Sequence, residues 1–593
     1  MNNSANSTSQ HRWILIGLAL TLAFNFAIRW HLRDLPLERD EGEYAYAGQL
    51  ILQGIPPYKL AFNMKFPGVY FMYALLMAIF GQSAADIHAG IFVVTSLTAV
   101  LIFFIGRELL SEAGSLVATV IYIGLAALPK AAGLAGHATH FVSLFVCAGV
   151  AVLLMARRRN SRAWWFVSGT AFGLAILMKQ HAVFFPFFIL VWLLWKGLRR
   201  ATQVSAVSVI LFCAGCAIPF IVTAVGFACA GLWHAFVIWT FQYASQYVSM
   251  LPFRAVPEQF ATGFDPVFES GIWVWIFGVV GLICLWRRHA IADCGPRIAD
   301  YPKPSPHPGP LRSHPMGAER EQQAYGVLSS PDGRQSPSNC VSGKSPELAG
   351  LIFLAGLAAA CPGFYFRNHY FIMAMPGLAL LNAAFILAVA KAFRQHSHAT
   401  WVKYIPVCLA AFIVGDLLVN NAGMWFDGTP LQLSRELYAA NPFTESIEVA
   451  DYLKEHTSPA DTIAVLGSEP EIFFLSHRHS ASGFIYFYAL TEPQPLAPQM
   501  RREFISQIET ARPKYVVSVN MELSWFSLIS PESLQYASAI QNWWAGYSTN
   551  YELVGAVKIS PDRPSQFFWN EQSLNPVDAT NNDLLIYRRR SNH

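Results

Sequence analysis

The chain has 593 residues, of which 54% are hydrophobic and 13% charged, and its net charge is +4. A soluble protein carries about 25% charged residues, and the repeated apolar runs of roughly 15–20 residues approach the ~20 that span a bilayer, so a polytopic α-helical membrane protein is expected. The basic residues sit in short clusters beside apolar runs, the pattern that orients membrane proteins, and no nucleic-acid partner is expected.

In chain order, the first apolar run, 13–30, lacks a small-residue cleavage site and reads as a retained anchor. The segment 41–53 has Tyr44, Ala47 and Ile51 at helical spacing beneath a polar face. The segment 66–80 is apolar but only about 15 residues long, and is expected to lie at the outer interface. Basic clusters follow at Arg107, 157–162, 196–200, Arg287–Arg288 and 391–403. Placing all of them in the cytoplasm, with His11 and Arg12, gives eleven spans near 13–30, 88–106, 114–128, 140–156, 163–178, 182–196, 204–225, 271–286, 349–361, 370–390 and 404–420. Counting 66–80 as a further crossing would put the 157–162 cluster outside.

Residues 1–425 then form the transmembrane domain, with the N-terminus cytoplasmic, and residues 426–593 form an outer domain. The stretch 289–346, rich in Pro, Ser, Gly and charge, is expected to be a disordered cytoplasmic insertion. In the outer domain, helical spacing at Ile447, Ala450 and Leu453 and at Met500, Phe504 and Ile508 alternates with strand runs at 462–466, 515–519 and 584–587, predicting a small α/β fold. The turn Gly467-Ser468-Glu469-Pro470 is no GxGxxG, so nucleotide binding is not expected there. The nine cysteines contain no paired CxxC pattern, and Cys213 and Cys216 read as packing residues.

Polar residues gather on the outer side of this topology. The first outer loop holds Arg39-Asp40-Glu41-Gly42-Glu43 and then Asn63-Met64-Lys65-Phe66-Pro67, and a later one holds Arg367-Asn368-His369-Tyr370. Charges at helix–interface junctions are costly unless paired or used. Each has a plain reading: Asp40 with Glu43 has the shape of a helix N-cap and its partner, Glu41 and Glu43 suit a solvated first turn, and Lys65 suits a snorkelling anchor. Arg367 and His369 suit ordinary loop flanks.

The run Arg39-Asp40-Glu41-Gly42-Glu43-Tyr44-Ala45-Tyr46-Ala47-Gly48, followed by Lys65-Phe66-Pro67-Gly68 and an aromatic interfacial helix, resembles the first outer loop of the family 39 type C-fold glycosyltransferases. That family includes the protein O-mannosyltransferases and the aminoarabinose and galacturonic acid transferases that modify lipid A. Leu177-Met178-Lys179, 367–376 and 461–478 are similar to further family stretches, so the likeness covers nearly the whole chain outside 289–346. Phe66 stands where the family usually has a first Pro, and Gly136-His137-Ala138-Thr139-His140 lacks an acid often found there.

The resemblance implies an inverting, direct displacement of a sugar from a polyprenyl-phosphate donor onto an acceptor hydroxyl at the outer face of a bacterial inner membrane. It implies Asp40 as the base, with Glu41 beside it as the second catalytic candidate, and Lys65 on the donor phosphate, with Arg367, His369 and Tyr370 as further phosphate-binding candidates. The chemistry fits, because an acceptor hydroxyl must lose a proton while charge builds on the departing phosphate. Some relatives hold a metal through a glutamate two residues before the lysine; this chain has Asn63, so neither metal nor other cofactor is expected. Lipid A, another envelope glycan and protein hydroxyls stay open as acceptors, and hexose and pentose as donor sugars. A transporter or flippase without catalysis is the alternative, as is a non-catalytic scaffold; no inverted repeat supports the former.

Overall fold

The computed structural model describes residues 2–159, 161–198, 204–294, 345–397, 399–526, 529–560, 563–569 and 582–591. Each of the eleven expected spans coincides with a helix. Seven described helices are long and apolar enough to cross a membrane, or eight if the pair Phe253–Glu269 and Ile272–Arg287, bent by 101°, is one span. Among the long ones are α1 (Asn2–His31), α4 (Ala84–Leu109), α6 (Ala138–Arg159), α9 (Ala206–Cys229) and the run Gln180–Leu198, in which α8 (Phe184–Leu198) continues a preceding turn of 3-10 helix. The remaining three expected spans are short: α5 (Glu112–Ala126), α7 (Arg162–Met178) and the helix Glu347–Ala360. At 1.5 Å per residue such helices reach only about 20–25 Å, less than the ~30 Å of a hydrocarbon core.

That shortness builds the site. The three short helices end on the same side, and the irregular backbone that follows each folds back between its neighbours. Non-helical backbone at membrane depth is tolerated where protein encloses it and satisfies its polar groups. Here Arg29 of α1, buried, donates from Nη2 to the carbonyls of Ala126 (3.0 Å) and Gly133 (2.9 Å). Trp425 donates to Ala127 O and Asn368 Nδ2 to Lys130 O, both at 2.8 Å. The basic clusters occupy the opposite end, where Arg107 pairs with Glu112, Arg158 with Glu108, and Lys196 with Glu347.

Two further helices cover the site end. α2 (Arg39–Leu52) is buried on nearly every side between Glu41 and Leu50, so its expected polar face is an interior one. α3 (Gly68–Phe80) buries Val69, Tyr70, Tyr73 and Met77 but exposes Phe71, Leu75 and Ile79, an i, i+4, i+8 row that suits an interfacial helix.

The C-terminal domain carries a six-stranded mixed sheet in the order β2-β1-β3-β6-β4-β5. β1 (Thr462–Leu466) pairs in parallel with β2 (His479–Ser480) and with β3 (Tyr515–Val519), Ile463 lying opposite Tyr515. β6 (Leu584–Arg589) runs antiparallel to β3 and to β4 (Tyr551–Lys558), which pairs with β5 (Gln566–Trp569). Helices Glu445–His456 and Ala497–Ala511 stand where the spacing of Ile447, Ala450 and Leu453 and of Met500, Phe504 and Ile508 places them. The expected loop at 289–346 lies outside the described residues over 295–344. At its start the helix Ile272–Cys294 runs six residues past Arg288, beyond the expected boundary. The described cysteines are unbridged, Cys213 and Cys216 included.

Candidate active site

α2 begins two residues earlier than its Asp-x-x-Glu pattern suggests. Glu38 is the N-cap, its carboxylate accepting from the Glu41 N–H at 2.9 Å, so Asp40 is not the cap. With the cap supplied by Glu38, the Asp40 side chain is free to turn across to the next segment. Neither Glu41 nor Glu43 is a solvated first-turn acid: both are buried, at 0% and 1% exposure.

Lys65 is likewise no anchor. Its Nζ donates to Asp40 Oδ1 at 2.8 Å and to Glu43 Oε2 at 2.6 Å, while its backbone carbonyl accepts from the Tyr58 hydroxyl at 2.6 Å. The Tyr70 hydroxyl donates to the other Glu43 oxygen at 2.5 Å, which fixes that carboxylate as a backstop for the lysine. Burial would raise the Asp40 pKa, but Lys65, His369 and His137 more than offset it and hold the carboxyl well below its ordinary range. For Lys65, burial works against the charged form, and Asp40 and Glu43 overcome it and push its pKa up. Glu43 is pushed up by burial despite the lysine.

The loops that end the short helices bring the remaining groups. After α5, His137 Nδ1 lies 3.8 Å from Asp40 Oδ2 and 3.8 Å from Glu38 Oε1, buried and without a hydrogen-bond partner. Burial lowers the His137 pKa to about 4, so the ring is neutral at physiological pH. It stacks on His369, with centroids 4.0 Å apart and planes at 6°. After α7, Lys179 Nζ sits over the Tyr370 ring at 3.9 Å; burial, with Lys65 adding to it, outweighs the pull of Asp40 and brings its pKa down to about 7. Arg367 lies over Tyr365 at 5.7 Å, on the rim away from Asp40.

Of the residues named from sequence, the fold therefore brings Asp40, Lys65, His369 and Tyr370 together, with Arg367 at the edge. Glu41 points elsewhere. Its Oε1 accepts from the Gly136 N–H at 2.5 Å and faces His88 Nε2 at 3.1 Å, so it holds the loop that carries His137. Asp40, His137 and His369 also offer ligand-type atoms within 4.8 Å of one another. Two parallel stacked imidazoles must turn before their lone pairs converge on one ion. Asn63 is occupied in a local turn, its Oδ1 accepting from the Met64 N–H at 2.7 Å.

The C-terminal domain reaches into this site. Arg39 donates to Ser468 O (2.6 Å), Glu469 Oε1 (3.0 Å) and the Tyr488 hydroxyl (3.0 Å). The Tyr486 hydroxyl donates to Asp40 Oδ1 at 3.0 Å, with its ring 5.5 Å from Lys65 Nζ. Sequence reasoning passed over Tyr486. It stands 446 residues from Asp40, and only the aromatic run Phe484-Ile485-Tyr486-Phe487-Tyr488 marks its neighbourhood.

Known proteins resemble the chain over part of its sequence and in fold. Residues 64–225 match the family model described as dolichyl-phosphate-mannose-protein mannosyltransferase, a segment that begins beside Lys65 and contains His137 and Lys179. Among solved structures, the chain is similar to ArnT from Cupriavidus metallidurans bound to undecaprenyl phosphate, at 14% identity and a TM-score of 0.53, covering 94% of this chain and 98% of that one. It is also similar to the oligosaccharyltransferase of Archaeoglobus fulgidus, in the apo form (12% identity, TM-score 0.50, 94% of this chain and 74% of that one) and in complex with zinc and sulfate (13% identity, TM-score 0.50, 94% and 73%). No curated protein matches in sequence. The structural likeness shows that the chain shares the fold of these membrane proteins, and the family match is confined to residues 64–225.

Proposed function

We propose that this protein is a family 39, type C-fold membrane glycosyltransferase that moves a hexose or pentose from a polyprenyl-phosphate carrier to an acceptor hydroxyl by a single inverting displacement, at the outer face of a bacterial inner membrane. The observation that carries the reading is the Asp40–Lys65 pair, at 2.8 Å, with a second half-buried lysine, Lys179, near it at the end of the bundle opposite the basic clusters. The bound lipid of the ArnT structure, undecaprenyl phosphate, is a carrier of the required class. Charged groups gathered at one end, instead of at the midplane, weigh against a transporter.

In this reading the donor phosphate enters on the Lys65, Lys179 and Tyr370 side, with Arg367 at the rim. As the phosphate takes a share of Lys65, the carboxylate of Asp40 loses part of the charge that depresses its basicity. Asp40 then accepts the acceptor hydroxyl proton as the acceptor oxygen bonds to the anomeric carbon and the bond from that carbon to the phosphate oxygen breaks. The polyprenyl phosphate leaves with both electrons of that bond, and the two lysines neutralise its second negative charge. His369, stacked on neutral His137, flanks Asp40. The cations come from the chain itself, and no resident metal is invoked. Lipid A, another envelope glycan or a protein hydroxyl would serve as acceptor, with the N-terminus cytoplasmic and the C-terminal domain periplasmic.

The test is transfer from a radiolabelled polyprenyl-phosphate sugar to envelope acceptors by purified enzyme in detergent. Product in the wild type and none with Asp40→Asn supports the reading. Equal turnover by the two removes it.

A further inference from the structure

Asp40 has two anchors, and they come from different domains. One is Lys65, in the same outer loop; the other is the hydroxyl of Tyr486, in the C-terminal domain, 3.0 Å from the same oxygen, Oδ1. Tyr486 is held by what flanks it. Phe487 is buried in the domain core against Phe504 and Trp525, and its N–H donates to Ser468 Oγ at 2.9 Å. On the other side Phe484 packs edge-on to Phe62, and the Phe62 N–H donates to Gly483 O at 2.7 Å. Two rings fixed in the protein interior thus leave Tyr486 little choice but to face Asp40.

We propose that the C-terminal domain is part of the catalytic apparatus, and that Tyr486 is a positioning residue that fixes the Asp40 carboxylate. This rests on the reading of Asp40 as base. Lys65 alone cannot hold Asp40 through the reaction, because the same ammonium has to turn toward the departing phosphate. The Tyr486 hydroxyl has no such second task. It keeps Oδ1 in place while Lys65 is shared, which leaves Oδ2, on the side of His137, to take the acceptor proton. A hydrogen bond donated to a carboxylate also favours its ionised form, so the hydroxyl helps keep Asp40 deprotonated during the same interval.

The experiment compares the full-length enzyme with Tyr486→Phe, Tyr486→Ala and Asp40→Asn, measuring kcat, donor KM, the pH profile of kcat/KM and thermal stability. Tyr486→Phe keeps the ring, so its melting temperature and donor KM should stay near wild type. Its kcat should fall roughly ten- to hundredfold, the range for a lost hydrogen bond to a charged group. The acidic limb of kcat/KM should move to higher pH, which a packing defect alone would not do. Tyr488→Phe, which removes a hydroxyl from the Arg39 clasp and not from Asp40, should leave that limb in place. Tyr486→Ala should lose both rate and stability. Wild-type kcat and an unmoved limb in Tyr486→Phe, with Asp40→Asn inactive, overturn this inference alone; wild-type turnover in Asp40→Asn overturns the underlying reading and this inference with it.

Discussion

Asp40 and Lys65 form a pair that is strong at rest and has to loosen in use. Asp40→Asn preserves the size of the side chain and removes the proton acceptor, and turnover should fall by about 10²–10⁴, the range for loss of a general base. Because Glu38 is the helix cap, that loss cannot be assigned to a frayed α2. Lys65→Arg should retain only part of the activity, since the space between Asp40 and Glu43 is shaped for a point charge and not a planar fork. Fully active Lys65→Arg would return the lysine to a purely structural role. Lys179 makes a separate prediction. With a pKa near 7, it is charged below that pH and neutral above it, so donor kcat/KM should decline as pH rises through about 7. Lys179→Arg stays charged throughout and should abolish that limb, read from pH profiles with one lipid-linked donor. The first-loop residues were legible in sequence because charge in an otherwise apolar chain has few neutral explanations. Their geometry was not: which acid caps α2 depends on where the helix starts, and a two-residue difference moved Asp40 from cap to site.

At the scale of elements, the short helices and the close approach of α2 to the outer domain decide where these side chains meet. The eleven apolar runs could be read from hydropathy, but the consequence of three of them being short could not. Shortness matters only because the loops after Ala126, Met178 and Ala360 fold back into the depth it leaves. Gly42 shows how tight the domain contact is. A Cβ there would lie 2.6 Å from the Glu471 backbone nitrogen and 2.9 Å from its Cα, in the helix Glu471–Ser476. Backbone cannot step aside as a flexible side chain does, so Gly42→Ala must push the domain away from α2. We expect it to cost about 1–3 kcal/mol of stability, as overpacking does, and to lower turnover by drawing Tyr486 off Asp40. Gly226→Ala is the comparison: it lies within α9 with nothing within 4 Å, and should be neutral or slightly stabilising. Melting curves of the two variants side by side check this. Equal melting temperatures would mean the α2–domain contact yields without cost.

For the whole molecule, the question is which way the bundle stands in the membrane, and the structure sharpens the sequence argument. Sequence alone places the basic clusters on one side only if 66–80 does not cross, and α3 fits that requirement: it is 13 residues long, buries one face on α2 and exposes the other. The structure adds that Arg107, Arg158 and Lys196 meet acidic partners at one end of the bundle, while Asp40, Lys65, Lys179 and the C-terminal domain gather at the other. On the charge bias, the end that carries the basic clusters is expected in the cytoplasm and the site end outside it. A reporter fused after residue 425 should then be active only when it is one that works outside the cytoplasm, and a cytoplasm-only reporter at the same point should be silent. The reverse pattern would put the C-terminal domain and Tyr486 inside with the arginine clusters outside. It would leave the chemistry of the site intact while moving its donor to the other leaflet, so the topology and the catalytic reading are tested separately.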